Sequence, residues 1–277
     1  MILVSGKKAA QQHHTASIVQ VDGLGKKFGG PPVLSDISFK LQRGQVHSII
    51  GPNGAGKTTL LNILTGIYKP TTGRVLLHGN DMSALEPHQL AACGVSRTFQ
   101  NLKVCFNMSV QENVLLGRHL HLQTGFLAGI LRLPSMQKNE EEAHTLAREL
   151  LEFVGLRVDA ALRPDALSYG ALKRLEIARA LACDPQLLLL DEPAAGLNPQ
   201  ETMEIKKLIE RLAEQSVTVV LVEHDMKLVM GVSDNIVVMN YGQKIAEGSP
   251  ETVAQNPDVI AAYLGAHGKQ EKAEVTP

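Results

Sequence analysis

The sequence predicts an α/β protein, with a parallel sheet flanked by helices and a helical block inserted in the middle. Three observations carry this. Short strand-type runs alternate with helical ones at both ends of the chain. The run LLLLD at 187–191 is continuous leucine rather than apolar–polar alternation, the pattern of a strand covered on both faces. Between them, roughly Ser109–Cys183 reads as helix.

Taken in order, Ile18–Asp22 and Ile37–Leu41 read as short strands on either side of a Gly/Pro-rich turn, GKKFGGPP. Gln45–Ile50 is a third strand, ending in a glycine-rich turn and a helix over Lys57–Thr65. Gly73–Leu77 and Val95–Thr98 follow as strands. The helical block carries a polar break around Leu133–Lys138. After Leu187–Asp191 come a helix over Pro199–Gln215, a strand over Val217–Val222 and a helix over Asp225–Gly231. Asn235–Asn240 and Lys244–Glu247 form a hairpin around Tyr241–Gln243. No internal repeat interrupts this order.

The 277 residues are 44% hydrophobic and 20% charged, a globular composition sufficient for one large domain or a core with a subdomain. A net charge of −1 supplies no general nucleic-acid footprint, so no nucleic-acid partner is expected. Cys93, Cys105 and Cys183 are widely spaced, which argues against a disulfide or zinc site. His13 and His14 lie in a polar tail and read as solvated. No apolar run approaches the ~18–20 residues needed to cross a bilayer. The N-terminus lacks a signal-peptide core. A soluble cytoplasmic protein is expected, joined to any membrane through a partner.

In parallel sheets, ligands collect at the carboxyl ends of the strands, so the residues after Ile50, Asp191 and Val222 are the places to look. GPNGAGKTT (51–59) fits the phosphate-loop pattern: Gly51, Pro52, Asn53, Gly54, Ala55, Gly56, Lys57, Thr58 and Thr59. The glycines let backbone N–H groups turn toward phosphate oxygens, and the helix start adds its positive end. Lys57 reaches the terminal phosphates and Thr58 offers a hydroxyl to Mg²⁺. Asp191 fits a carboxylate that holds Mg²⁺, and Glu192 can orient an attacking water. His224, after VTVVLVE, reads either as a cap or core residue or as part of the site. Asp225 is a helix N-cap. Gln100 can reach Mg²⁺ or the attacking water.

ALSYGALKRLEIARAL (166–181) begins a helix with Ser168 as N-cap, but Ala171 stands where a capping box wants Glu or Gln. This is either an ordinary helix start with a weakened cap or a helix end used for something else.

The pieces in this order resemble the nucleotide-binding subunit of an ABC transporter, over about residues 18–264. GPNGAGKTT corresponds to Walker A, TFQN to the Q-loop, LSYGALKR to the signature, LLLLDEP to Walker B, AAGLN to the D-loop and VEHD to the switch histidine. TFQNLKVCFNMSVQENVLLGRH, DEPAAGLNP and NPDVIAAYLG closely resemble one ATPase subunit of the bacterial branched-chain amino-acid importers. Urea-importer ATPases are similar, and the ATPase of lipopolysaccharide export more distantly so. The resemblance implies a P-loop NTPase fold: a RecA-like core, an N-terminal antiparallel β subdomain and a helical subdomain at about 101–183. Residues 17–266 form one domain, between flexible tails at 1–16 and 267–277.

It also implies the mechanism. Two cassettes, in a homo- or heterodimer, face each other head to tail. Each ATP and Mg²⁺ lies between the Walker A of one subunit and the signature (Ser168, Tyr169, Gly170) of the other. Opening and closing is passed to permease subunits on the cytoplasmic membrane face, served indirectly by a solute-binding protein. Phe28 matches an aromatic that stacks on adenine, or it packs under the β-turn. Gly196, Leu197 and Asn198 match the D-loop, though Asn198 also caps a helix, with Pro199 at N1 and Glu201 at N3. Leu102, Val104, Phe106 and Met108 are subdomain core or one wall of a groove for a permease helix. The spacer Arg118–Leu162 shapes that surface or merely packs. Tyr169 replaces the common glycine, as in the importer relatives. Ala171 should remove about 0.5–1.5 kcal/mol of cap or contact energy, which Ala171→Gln should restore as stronger ATP-dependent dimerisation. The alternatives are an ATPase for urea or another small solute, a soluble ABC ATPase acting in DNA repair or translation, and a P-loop kinase.

Overall fold

The computed structural model describes residues 17–118 and 134–263. The tails expected at 1–16 and 267–277, the two adjacent histidines, and the spacer from 119 to 133 lie outside the described residues.

Two sheets organise the chain. The first is antiparallel: β1 (Ser17–Lys27), β2 (Pro32–Gln42), β4 (Thr72–Leu77) and β5 (Asn80–Asp81), in the order β2-β1-β4-β5. β1 and β2 outrun the expected strands because their pairing, interrupted by register shifts, continues to Lys27 opposite Pro32. The second contains β3 (Val46–Ile50), β6 (Val95–Arg97), β7 (Leu187–Asp191), β8 (Thr218–Val222), β9 (Asn235–Asn240) and β10 (Gln243–Gly248). Its order is β10-β9-β3-β8-β7-β6, and every pair is parallel except the β9–β10 hairpin. That hairpin turns on Tyr241 and Gly242, both at positive φ (45° and 76°), as a two-residue turn with matched twist requires.

β3, β7 and β8 are buried at every position; the apolar runs of β7 and β8 predict this, whereas β3 also buries His47 and Ser48. Leu187, Leu189, Val220 and Val237 face α1 (Lys57–Leu64) and the antiparallel sheet. Leu188, Leu190, Val219 and Leu221 face the other way. They pack beneath α3 (Val110–Gly117), α4 (Pro134–Phe153), α5 (Tyr169–Leu181) and α6 (Pro199–Glu214). Three further short helices are α2 (Pro87–Ala92), α7 (Met226–Val232) and α8 (Pro250–Ala254), and residues 257–263 are helical as well.

The polar break expected around Leu133–Lys138 is not a break where described: 134–138 is the start of the 20-residue α4. Proline is tolerated in a first helical turn, whose N–H groups lack intrahelical partners. The chain leaves the helix instead after Phe153 and re-enters at Tyr169, through a 3₁₀ turn at Pro164–Ala166. Among the described residues no helix is long and apolar enough to cross a membrane.

Candidate functional site

The parallel registers bring three strand ends together: Ile49 and Asp191 both pair with Val222. The phosphate loop, the acidic pair and His224 therefore emerge side by side. The loop is tightly seated. A Cβ on Gly51 would meet the Met239 carbonyl oxygen at 2.1 Å, so only glycine fits. Gly56, at φ 99°, starts α1 from the left-handed region. Lys57 turns back onto its own loop, its Nζ donating to the carbonyls of Gly51 (2.7 Å) and Pro52 (3.1 Å). Burial lowers its pKa, against the charges of Glu192 and Asp191. Tyr263, half-buried, reaches the Gly51 backbone, and burial pushes its phenol up to about 12.

Glu192 sits at φ 50°, an unusual conformation for a side chain of its type. The kink presents its carboxylate to two partners. Gln100 Nε2 donates to one oxygen at 2.8 Å, and His224 Nε2 lies 2.9 Å from the other. These three residues line one cleft of about 340 Å³ with Asn53–Thr59, Val33 and Val222. His224 is thus part of the site, while Asp225 caps α7, accepting from the N–H groups of Lys227 and Leu228.

Behind the cleft stand charged side chains that sequence reasoning missed. Glu223, 4% exposed, accepts from the N–H groups of Ala194 (2.7 Å) and His224 (2.9 Å), so it braces both chain segments beside Glu192. Burial raises its pKa. Lys173, 2% exposed, donates to the carbonyls of Gln100 (3.1 Å) and Glu192 (3.4 Å), tying α5 to the site. Arg97 donates to Asp191 at 2.7 Å, both side chains nearly fully buried. Asp191 accordingly lies behind the cleft rather than in its lining.

The donors fit Mg²⁺. The Thr58 hydroxyl and the Asp191 carboxylate supply hard oxygens, and the Gln100 amide nitrogen is engaged by Glu192, leaving its oxygen for a cation. Among the described residues no cluster of three or more His, Cys, Asp and Glu could hold a metal alone. That suits an ion bound through few protein oxygens plus substrate phosphates.

The signature lies apart. Ser168 caps α5, its Oγ accepting from the Ala171 N–H at 3.2 Å. The same hydroxyl donates to Glu201 Oε1 at 3.4 Å. Glu201 also closes the capping box with Asn198, as expected of that pair. The Tyr169 ring is exposed and lies against Gly196, where a Cβ would sit 3.4 Å from the ring. Ala171 is buried in the helical core with Leu150 and Leu175, and Ser168 caps the helix without a capping box, as the missing Glu or Gln at 171 implies. Leu102, Val104 and Met108 are half-buried and Phe106 is exposed, so this stretch is neither all core nor all surface. Phe28 projects at the β1–β2 turn outside the cleft lining, edge-on to Tyr68 at 5.0 Å, with Lys26 over its ring.

A family model described as ABC transporter matches residues 34–195. This chain belongs to that family. A second model, branched-chain amino acid ATP-binding cassette transporter, matches residues 243–269. The ABC cassette is 49% identical to the high-affinity branched-chain amino acid transport ATP-binding protein BraF of Pseudomonas aeruginosa, over 90% of this chain and 98% of that one. It is 47% identical to LivG of Escherichia coli, over the same shares. A solved ABC-transporter cassette in its ADP conformation superposes with a TM-score of 0.79 at 33% identity, covering 91% of this chain and all of that one. A dimeric bacterial ABC-transporter cassette superposes with a TM-score of 0.71 at 26% identity, covering 84% and 98%. The fold is therefore that of an ABC ATPase, with its antiparallel sheet and helices around a mixed main sheet.

Proposed function

We propose that this cassette hydrolyses ATP to power import of branched-chain amino acids. The observation that carries the chemistry is the Glu192 carboxylate, gripped by Gln100 and His224 at the mouth of the phosphate-loop cleft. The cargo rests on the names of the relatives and on the C-terminal family match.

ATP enters with its phosphates against the loop N–H groups of 51–59 and the start of α1, its adenine toward Phe28. Lys57 exchanges the Gly51 and Pro52 carbonyls for the terminal phosphates. Thr58, Asp191 and Gln100 would hold Mg²⁺, which when bound would supply charge to offset that of the phosphates. Glu192 orients the attacking water and accepts its proton, while Gln100 and His224 keep the carboxylate aimed. Ser168 and the first N–H groups of α5 complete the phosphate site of a second cassette. Gly196, Leu197 and Asn198 lie at the same seam. The pair sits on the cytoplasmic face of the membrane beneath permease subunits, with a solute-binding protein on the far side.

The test is ATP hydrolysis by the complex rebuilt with its permeases in lipid discs. Stimulation by a binding protein loaded with leucine, isoleucine or valine is expected. Stimulation by urea alone would reassign the cargo, and hydrolysis indifferent to every loaded binding protein would overturn the importer reading.

A further inference from the structure

Arg97 ends β6, one strand away from the strand that ends in Asp191. Its side chain is 6% exposed, and both Nη atoms are engaged while the buried Nε has no hydrogen-bond partner among the described residues. Nη2 donates to Asp191 Oδ2 at 2.7 Å. Nη1 donates to Asn62 Oδ1 at 2.7 Å and to Thr65 Oγ1 at 3.3 Å. Asn62 belongs to the last turn of α1, and Thr65 is its C-cap. One planar group therefore bridges the far end of the phosphate-loop helix and the carboxylate at the end of β7. The Phe99 ring lies 5.2 Å from the guanidinium. The neighbouring Thr98 accepts the Asp191 backbone N–H at 3.4 Å, so Asp191 is held at both backbone and side chain.

A buried ion pair is a poor device for stability alone, because desolvation consumes most of its attraction. It is a good device for direction, since arginine offers donors in a fixed fork. Arg97 engages only Oδ2, and among the described residues no hydrogen bond within the protein reaches Asp191 Oδ1. Lysine, a single point of charge, could not hold the carboxylate and both α1 oxygens in one plane.

We infer that Arg97 is a positioning residue for the Mg²⁺·ATP complex: it fixes Asp191 so that its second oxygen faces the cation and locks α1 at the matching distance. The inference rests on Asp191 being the cation carboxylate, as proposed above. Removing a group that orients a metal-holding carboxylate costs about 10–100-fold in metal affinity.

The experiment is calorimetric titration of the full chain with ATP, once with Mg²⁺ and once with EDTA. Wild type binds more tightly with Mg²⁺. Arg97→Met is expected to lower that advantage by about tenfold or more while EDTA affinity stays within about twofold. Arg97→Lys recovers part of the loss, and in an Asp191→Asn background Arg97→Met changes nothing further. An unchanged Mg²⁺ advantage in Arg97→Met overturns the inference, as does an equal loss with and without Mg²⁺. Should Arg97→Met not fold, Asn62→Ala decides, because it keeps both charges and leaves Nη1 only its longer bond to Thr65. A reduced Mg²⁺ advantage in Asn62→Ala supports the inference and an unchanged one overturns it. A wild type indifferent to Mg²⁺ would instead overturn the reading of Asp191 and the ATPase proposal with it.

Discussion

The phosphate-loop side and the signature side of this chain are built differently. On the first, every charged group has its partner within the subunit: Glu192 has Gln100 and His224, Asp191 has Arg97, Lys57 has its own loop. A cleft is already shaped there. On the second, the open end of α5 is flanked by the exposed Tyr169 and by Glu201, and none of Ser168, Tyr169 and Gly170 lines that cleft. The difference teaches where catalysis is prepared and where it must be completed. On the proposed function, the first side takes nucleotide with Mg²⁺, whereas the second offers its helix start to the phosphate of another cassette.

The largest expected effect breaks the first side alone. Glu192→Gln keeps the shape and one acceptor oxygen but loses the base. Steady-state hydrolysis should fall by about 10²–10⁴-fold. ATP affinity should persist, and an ATP-bound dimer should accumulate in sedimentation. Undiminished turnover would remove Glu192 from its assigned role.

Next comes a substitution on the buried face of the signature helix. Ala171 is 7% exposed among the residues of the helical core. Ala171→Gln therefore forces a longer, polar side chain into packed apolar surroundings. A loss of about 1–3 kcal/mol of unfolding free energy is expected in urea melts. The gain in dimerisation expected from the sequence should not appear. The Ser168 hydroxyl already accepts the Ala171 N–H, and a side chain at 171 directed into the core does not turn back to the Ser168 N–H. A stable variant with a tighter dimer would restore the original reading.

The first turn of the same helix, where Gly170 is buried, gives a smaller effect. A Cβ on Gly170 would lie 2.5 Å from Glu201 Oε1. Gly170→Ala should push that flexible carboxylate away from Ser168 and loosen the α6 capping box, which is worth about 1 kcal/mol. Turnover should fall by up to about tenfold, since about 1.4 kcal/mol is a factor of ten. ATP binding by the isolated subunit should not change. A loss of that binding instead would mean the two sides are coupled within one subunit.

These contrasts also show what a linear reading can reach. The strand ends, the phosphate loop, Glu192, and the caps at Ser168, Asn198 and Asp225 were legible because each depends on neighbours a few positions away. Tyr169 was legible as a departure, but not its contact with Gly196. Arg97, Lys173, Glu201 and Glu223 were not legible as site residues. Arg97 lies 94 positions from Asp191, Lys173 lies 73 from Gln100, and Glu223 lies 29 from Ala194. A charged residue at a strand end or on a helix normally reads as solvated. Only the stacking of β6, β7 and β8 with α5 and α6 turns these four into buried braces or cross-helix contacts. The missing capping box at Ala171 was legible and its burial was not, for the same reason: a cap is judged locally, whereas burial is a property of the packed subdomain.

The smallest effect tests whether the first side is as self-sufficient as its contacts suggest. Glu223 braces the Ala194 and His224 backbones from behind Glu192. Burial first, and then the Glu192 charge, hold its carboxyl above the usual carboxylate range, against the N–H groups it accepts from. The folded state therefore retains a proton that the unfolded chain releases at about pH 4.3. Between that pH and the raised folded value, the folded state binds more protons than the unfolded one. Glu223 thus contributes stability that is fully present below the unfolded pKa and is lost as pH rises through the folded pKa. Glu223→Gln imitates the protonated form and removes this dependence. Wild type minus variant, measured as unfolding free energy against pH, should slope downward across that window by no more than about 1.4 kcal/mol per pH unit, the limit for one proton. A flat difference would mean that Glu223 titrates as an ordinary carboxylate despite its burial. A variant that also lost hydrolysis would show that the brace needs two acceptor oxygens rather than a neutral stand-in.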